Sequence, residues 1–245
     1  MRSGTFLEIW RSAPEVVEKV SSTQDVVKSK DFPHFTPFVA LSQEKGRGRR
    51  GNVWFSPPGE GLYLSFKIPK DFFGVEPEDL TPLSLVVGCA VSETVDGYTF
   101  SKIKWPNDIY IGGKKVSGIL VEATPRDLVV GIGVNLNTVS FPPELKPYAT
   151  SIYMETQQRV DFYEFLNLLL ENLSVELLKF KVEGFKPFVE RINRKLLWRN
   201  KRIVIDNREC GLLLGIDDRG RALVKTCFKQ LKRLSYGDIS IREKR

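Results

Sequence analysis

The sequence predicts an α+β chain: a mixed, mostly antiparallel sheet with helices, followed by a small C-terminal β-barrel of the SH3 type. Three observations carry this. Residues 102–137 break into short apolar runs (IKW, DIYIGG, KKVSGILVEAT, DLVVGIGVNL) separated by turn signals. Residues 161–180, DFYEFLNLLLENLSVELLKF, carry apolar residues at helical spacing. From about residue 197 the texture changes to five short strands, RIVID, GLLLGID, RALVKT, KQLKRL and DISIR, with DDRG and YGD turns.

Taken in chain order, alternation from Phe6 to Trp10 predicts a first strand, and Ser22 followed by Asp25 three residues on predicts a helix start. FVALSQ is a strand entering a glycine- and arginine-rich segment at 45–51, and LYLSFKI (62–68) is the strand leaving it. Residues 80–96 read as a helix. Gly112-Gly113 is a two-residue hairpin turn, so Ile111 is expected to face Lys114, Tyr110 to face Lys115 and Asp108 to face Ser117. After the proline-rich stretch 141–148 come the helix at 161–180 and a shorter one from Phe185 to Lys195. A boundary near 190–197 divides the chain into residues 1–195 and 196–245.

Composition narrows the function. With 245 residues, 42% hydrophobic and 27% charged, the chain is globular in type, neither disordered nor collagen-like. No apolar run is long enough for a membrane span, and the acidic N-terminus lacks the apolar core of a signal peptide, so the reading is a cytoplasmic protein. Cys89, Cys210 and Cys227 are far apart with no CxxC pair, which argues against a disulfide framework or zinc knuckle and for three buried, small apolar residues. A single histidine, His34, leaves little from which to build a Ser-His-Asp triad or a histidine metal site. The net charge of +7 points to an anionic partner: nucleotide phosphate, nucleic acid or an acidic protein.

Three segments could carry chemistry. In KGRGRRGNVWFSPPGEGLYLS (45–65), glycines allow backbone N–H groups to approach an anion while Arg47, Arg49 and Arg50 add guanidinium forks. It is neither a Walker loop nor a Rossmann fingerprint, since no G-x-G-x-x-G opens a helix after a strand. A solvated basic loop or a nucleic-acid patch stands beside the small-anion reading. In KIKWPNDIYIGGKKVSGILVEAT (102–124) the hairpin puts Asp108, Tyr110, Lys115 and Ser117 on one face, with Ile109, Ile111 and Val116 on the other. A lysine diagonal to a carboxylate suits a phosphate or metal-phosphate site, and an edge hairpin with a wet face explains it equally. In GIGVNLN (131–137), small residues let a ligand approach and Asn135 offers an amide to a purine edge, or the glycines simply sit in a buried strand. The run RINRKLLWRNKR (191–202) has six positive charges and no negative ones, a nucleic-acid footprint or a solvated helix face.

GRGRRGNVWFSPPGEGLYLS together with KWPNDIYIGGKKVSGILVE closely resembles the biotin-protein ligase family, the biotin-[acetyl-CoA-carboxylase] ligases. The likeness extends to SSTQ (21–24), GIGVNLN and the C-terminal GDISIR, so it covers nearly the whole chain. It implies the class II synthetase-like catalytic fold. Bifunctional members carry a winged-helix repressor domain before this region; here SSTQ begins at Ser21, so the resemblance implies the monofunctional form with no specific DNA binding.

The resemblance implies a two-step reaction in which biotin and ATP give biotinyl-5′-AMP and pyrophosphate, with Mg2+, and a lysine of the biotin carboxyl carrier protein then takes the biotinyl group. A homodimer is compatible with this. Ser22, Thr23 and Gln24 would contact the biotin head group; Gln43, Gly46, Arg47, Gly48 and Arg49 would embrace biotin and adenylate. Lys115 would hold the carboxylate or α-phosphate, and Lys115 and Arg49 are the expected catalytic residues. Trp54 would lie against the biotin chain and adenylate; Asn107 and Asp108 would organise Mg-ATP, Asp108 as the metal ligand; Asn135 would meet the adenine. Two positions depart from the family pattern: Gln24 stands for an asparagine and Asn52 for an arginine. Competing readings are a lipoate-protein ligase or octanoyltransferase of the same superfamily, a ligand-binding module without turnover, and a nucleic-acid binder.

Overall fold

The computed structural model describes residues 9–206, 209–235 and 241–243. β1 (Glu15–Val20), α1 (Thr23–Val27) and β2 (Phe38–Gln43) come first, with β1 and β2 parallel. β3 (Gly61–Pro69), α2 (Leu83–Asp96), β4 (Lys102–Lys104), β5 (Asp108–Ile111), β6 (Lys114–Ala123) and β7 (Asp127–Asn135) follow, then α3 (Ile152–Thr156), α4 (Phe162–Glu183) and α5 (Lys186–Lys195). The seven strands form one sheet in the order β1-β2-β3-β7-β6-β5-β4, antiparallel except for β1 beside β2. A second, antiparallel sheet contains β8 (Arg202–Ile205), β9 (Glu209–Ile216), β10 (Ala222–Thr226), β11 (Leu231–Leu234) and β12 (Ile241–Glu243) in the order β11-β10-β9-β8-β12. The fold is the expected α+β class. The C-terminal unit is the expected small antiparallel sheet of five strands, and among the described residues no pairing joins β11 to β12.

Period-2 chemistry explains the large sheet. In β3, Leu62, Leu64, Phe66 and Ile68 enter the core beneath the helices, while Gly61, Tyr63, Ser65 and Lys67 take the opposite face. β7 repeats this with Leu128, Val130, Ile132 and Val134 against Val129, Gly131, Gly133 and Asn135. Helix α2 is apolar nearly all round because it lies between the sheet and α4. Helix α4 begins where the Asp161 carboxylate accepts the Glu164 N–H at 2.8 Å, buries Leu166, Leu169, Leu170, Leu173 and Leu177 as a stripe, and stops at Gly184 (φ 68°).

Several expectations change. Residues 6–8 of the first expected strand lie outside the described residues, and Ile9 and Trp10 belong to no strand; Trp10 packs edge-on to Phe66 instead. The first strand is Glu15–Val20, whose edge position lets it do without clean alternation. The YGD turn also lies outside the described residues. Helix α1 starts where Ser22 was expected to cap it, yet the Ser22 side chain makes no capping bond. Cys89 is buried, and that burial pushes its thiol up to about 12, but Cys210 is half-buried and Cys227 exposed on the small sheet, contrary to three buried cysteines. All three are free. No helix among the described residues is long and apolar enough to cross a membrane.

Helix α5 ends at Lys195 and the small sheet begins at Arg202, and buried bonds cross between the two. The fully buried Trp105 donates its indole N–H to the Gly220 carbonyl at 2.9 Å, and Asn193 pairs through its amide with the backbone of Ile216 on both sides. Trp105→Phe keeps most of the ring volume and orphans that carbonyl. It should cost about 1–3 kcal/mol, read as a lowered urea midpoint at unchanged slope.

Candidate active site

On the sheet face away from α2 and α4, β7 and β6 expose glycines where strands usually carry side chains. Gly133 pairs with Gly118, and Gly131 with Leu120. Their missing side chains make a trench: a Cβ on Gly133 would overlap the Trp54 indole, one on Gly118 would come within 2.9 Å of the same ring, and one on Gly131 would sit 2.5 Å from Gln24 Oε1. Thr23, Gln24, Gln43, Arg47, Gly48, Arg49, Trp54, Ser65, Asn107 and Lys115 line this cavity, whose glycine floor the Trp54 ring covers. Nine of those ten positions are among the residues expected from sequence.

One end of the trench is built from amides and hydroxyls. Gln43 Oε1 accepts from the Thr23 backbone N–H at 2.9 Å, and Thr23 Oγ1 lies 2.8 Å from Ser65 Oγ. Gln24 donates to the Val129 carbonyl at 3.1 Å and accepts from Ser65 Oγ at 3.1 Å. Helix α1 thus delivers two consecutive side chains onto the strand floor. Ser22 stands behind them: its hydroxyl is buried without a partner and does not line the trench. Ser65 and Gly118 escaped sequence reasoning, because each lies in a strand whose apolar neighbours already explain it.

The glycine and arginine segment leads into a hairpin loop, not a helix. Trp54 N–H bonds the Gly46 carbonyl at 2.8 Å and Gly48 N–H the Asn52 carbonyl at 2.8 Å; the tip turns at Arg50 (φ 59°) and Gly51 (φ 73°). Gly46 is structural rather than trench-lining, because a Cβ there would meet the Trp54 carbonyl at 2.5 Å. Asn52, where an arginine was expected, donates to the Arg49 carbonyl at 2.9 Å and closes the tip. Arg47 bridges Asp25 of α1 (2.5 Å) and Glu122 of β6 (3.1 Å), so the loop is tied down on both sides of the trench. Arg49 donates to Asn107 Oδ1 at 2.9 Å, and Asn107 in turn holds the Ile119 carbonyl.

The hairpin β5–β6 supplies the other end. Gly112 (φ 56°) and Gly113 (φ 82°) make the expected turn, and Tyr110 faces Lys115. A bulge beyond that pair then shifts the register, so Asp108 faces Gly118 and not Ser117. The extra residue on β6 turns Ser117 into the core opposite Ile109 and removes it from the polar face. Asp108 and Lys115 do meet, at 2.6 Å, and Lys115 lies 5.2 Å from the Trp54 ring centroid. Asp108 lines a cleft that adjoins the trench and shares Arg49, Asn107, Trp54 and Lys115 with it. Asn135 borders a third hollow with Trp54, Lys115 and Tyr148, and its amide N–H is engaged by the Thr150 carbonyl at 2.9 Å.

As a metal ligand Asp108 fits poorly. Its carboxylate is shared between Lys115 and Lys104, and no group of three metal-ligating side chains occurs among the described residues. A magnesium ion would therefore arrive with the nucleotide and draw most of its ligands from phosphate and water. Within the basic run 191–202 several cations already have partners inside the fold, while Arg194 and Arg202 stay exposed. Arg191 pairs with Glu93 and Glu176, Lys195 with Asp96, Lys201 with Glu243, and Arg199 donates to two backbone carbonyls.

The glycine floor makes a prediction that needs no ligand. Gly133→Ala should lift the Trp54 indole out of the trench and shift its emission to the red, read as the difference from the same variant carrying Trp54→Phe, with far-UV circular dichroism unchanged.

Residues 16–138 match the biotin/lipoate A/B protein ligase family. The bifunctional ligase/repressor BirA of Bacillus spizizenii is 31% identical over 93% of this chain and 72% of its own length. The biotin–[acetyl-CoA-carboxylase] ligase of Paracoccus denitrificans is 29% identical over 76% of this chain and 82% of its own. The structure of biotin protein ligase from Aquifex aeolicus in complex with biotin and ATP superposes with a TM-score of 0.87 at 36% identity, covering 94% of this chain and 99% of that one. A site of amides at one end and paired cations at the other, on a fold and sequence shared this widely, places the chain in the biotin/lipoate A/B protein ligase family.

Proposed function

We infer that the chain is an ATP-dependent biotin-protein ligase, a biotin-[acetyl-CoA-carboxylase] ligase. The observation that carries this is the two-ended trench: an amide and hydroxyl end at Thr23, Gln24 and Gln43, joined by a glycine floor to a cationic end at Arg49 and Lys115. Biotin has this shape, with a ureido group at one end, an apolar middle and a carboxylate at the other. Relatives named as biotin ligases favour biotin over lipoate within the family.

In the first step a biotin carboxylate oxygen attacks the α-phosphorus of ATP, and the bond to the bridging oxygen breaks to release pyrophosphate. The nucleophile is already an anion, so no base is required and the absence of a catalytic histidine costs nothing. The chain has to bring two anions together and neutralise the charge between them. We assign Lys115 to the carboxylate and α-phosphate, and Arg49, held by Asn107, to the adenylate; Gly118 and Gly133 let the linear chain of biotin lie flat against Trp54. We place Asn135 at the adenine, where its carbonyl oxygen and the second N–H of its amide are available beside the one that holds the Thr150 carbonyl. Magnesium would supply charge neutralisation on the phosphates when bound. In the second step the amine of an acceptor lysine attacks the biotinyl carbonyl, AMP leaves, and an amide remains.

The acceptor is a biotin carboxyl carrier domain, and the open edge of the large sheet at β1 offers it a strand to pair with. Radiolabelled biotin with ATP and magnesium should label a biotin carboxyl carrier domain and leave its lysine-to-arginine variant unlabelled. Neither label nor biotinyl-5′-AMP would sink the reading. Arg49→Gly should leak the adenylate into solution, seen as faster release of labelled biotinyl-5′-AMP on gel filtration; a release rate equal to the parent's would remove Arg49 from that role.

A further inference from the structure

We propose that Lys104 is a positioning residue for adenylation, the cation that takes over Asp108 when Lys115 turns from that carboxylate to the substrate anion. The proposal rests on the ligase reading above and adds a residue that reading does not use.

Asp108 is one carboxylate between two lysines. Its Oδ1 lies 2.6 Å from Lys115 Nζ and its Oδ2 lies 3.7 Å from Lys104 Nζ, and its side chain is only 13% exposed. Arg49 adds a third positive charge nearby, and no second carboxylate lines the cleft. Lys115 therefore starts neutralised, at the distance of a full ion pair. To turn its charge fully onto a substrate carboxylate or phosphate it has to loosen its hold on Asp108. A mostly buried carboxylate would then stand uncompensated beside two incoming anions and repel them.

Lys104 is built to stay behind. Its ammonium lies 5.4 Å from the Tyr110 ring centroid and 5.5 Å from that of Trp198, and the two rings meet edge to face at 6.3 Å. Trp198 belongs to the segment between α5 and β8 and holds a left-handed backbone (φ 63°), so the link to the small sheet supplies one wall of the box. Burial weakens the hold of Lys104 on its proton and the positive charges of Lys115 and Arg49 weaken it further, while Asp108 opposes both. When Lys115 departs, one of those opposing charges departs with it and the Lys104–Asp108 pair tightens. No covalent bond is made or broken; only the pairing changes.

The test uses the full chain with Lys104→Met, Lys104→Arg, Asp108→Asn and the Lys104→Met/Asp108→Asn pair. Biotin-dependent pyrophosphate release should fall about tenfold in kcat for Lys104→Met, the size of coupling expected between charged neighbours, with the KM for biotin unchanged. Lys104→Arg should restore most of the rate. Asp108→Asn placed on Lys104→Met should recover part of it, because Lys115 then has no carboxylate to remain with. Losses that simply add, or a Lys104→Met enzyme with the parent's kcat, would overturn the proposal. A second readout is independent of turnover: the 15N resonance of Lys115 Nζ should shift on adding inorganic pyrophosphate to the parent and shift less in Lys104→Met. If the parent forms no adenylate yet shows this Lys104-dependent shift, the ligase reading fails and the exchange stands. If the shift is the same in both proteins, the exchange fails whatever the activity.

Discussion

The pairing of β3, β7 and β6 decides which side chains face the helices and which face the trench. Ser65 pairs with Gly131 and Tyr63 with Gly133 on one side of β7; Gly118 pairs with Gly133 on the other. A slip of one residue in β7 would bring Ile132 or Val134 into the trench and send its glycines into the core, and the same slip in β3 would turn Leu64 and Phe66 outward. The apolar parity of β3 and β7 forbids that slip, since Leu64, Phe66, Val130 and Val134 are wholly buried against the helices. The ordinary hydrophobic effect on one face therefore sets the floor of the site on the other.

This division explains which features could be seen in the sequence. The trench glycines of β7 were visible as GIGVN, because two glycines at period 2 in an apolar run mark a face with no side chains. Helices α2 and α4 were visible because each buries a continuous apolar surface, and α5 because Phe188 and Ile192 recur at helical spacing. The β6 bulge was not, since two-residue turn chemistry sets register only up to the first irregularity, and Val116 gives no local sign that it is the extra residue. Nor was β1, whose edge position relaxes alternation, nor the exposure of Cys227, which follows from its place in the turn after β10. Lys104 is the first residue of KWPND, yet its partner Trp198 is 94 positions away. No local pattern reports that meeting.

Charge shows the same contrast between local and distant information. The net excess of +7 suggested an anion, and the sequence offered two basic runs for it. Part of the run at 191–202 is used within the fold: Arg191 reaches across to Glu93 and Glu176, and Lys195 to Asp96, which ties α5 to α2 and α4. The run at 45–50 sits over the trench instead. What separates them is the position of the acids. Glu93, Asp96 and Glu176 lie on helices that α5 packs against, whereas Asp25 and Glu122 flank a cavity.

At the trench, the cations are held before any ligand arrives. Arg47 holds Asp25 and Glu122, Arg49 holds Asn107, and Lys115 holds Asp108. Such pairing looks wasteful in a site built for anions, since each bond must weaken for the ligand to be gripped. The alternative is worse: several unpaired cations within one small cavity would repel each other and splay the loop into solvent. Pre-pairing keeps the loop folded, and at Lys115 it turns binding into an exchange of one anionic partner for another, so the cost there is a difference between two ion pairs and not the full desolvation of a free charge; at Arg49 the ligand competes with a neutral amide instead. It also gives selectivity. A ligand with one negative group can displace one of these partners; only a ligand carrying negative charge along its length, as a carboxylate beside a triphosphate does, can engage Lys115 and Arg49 together.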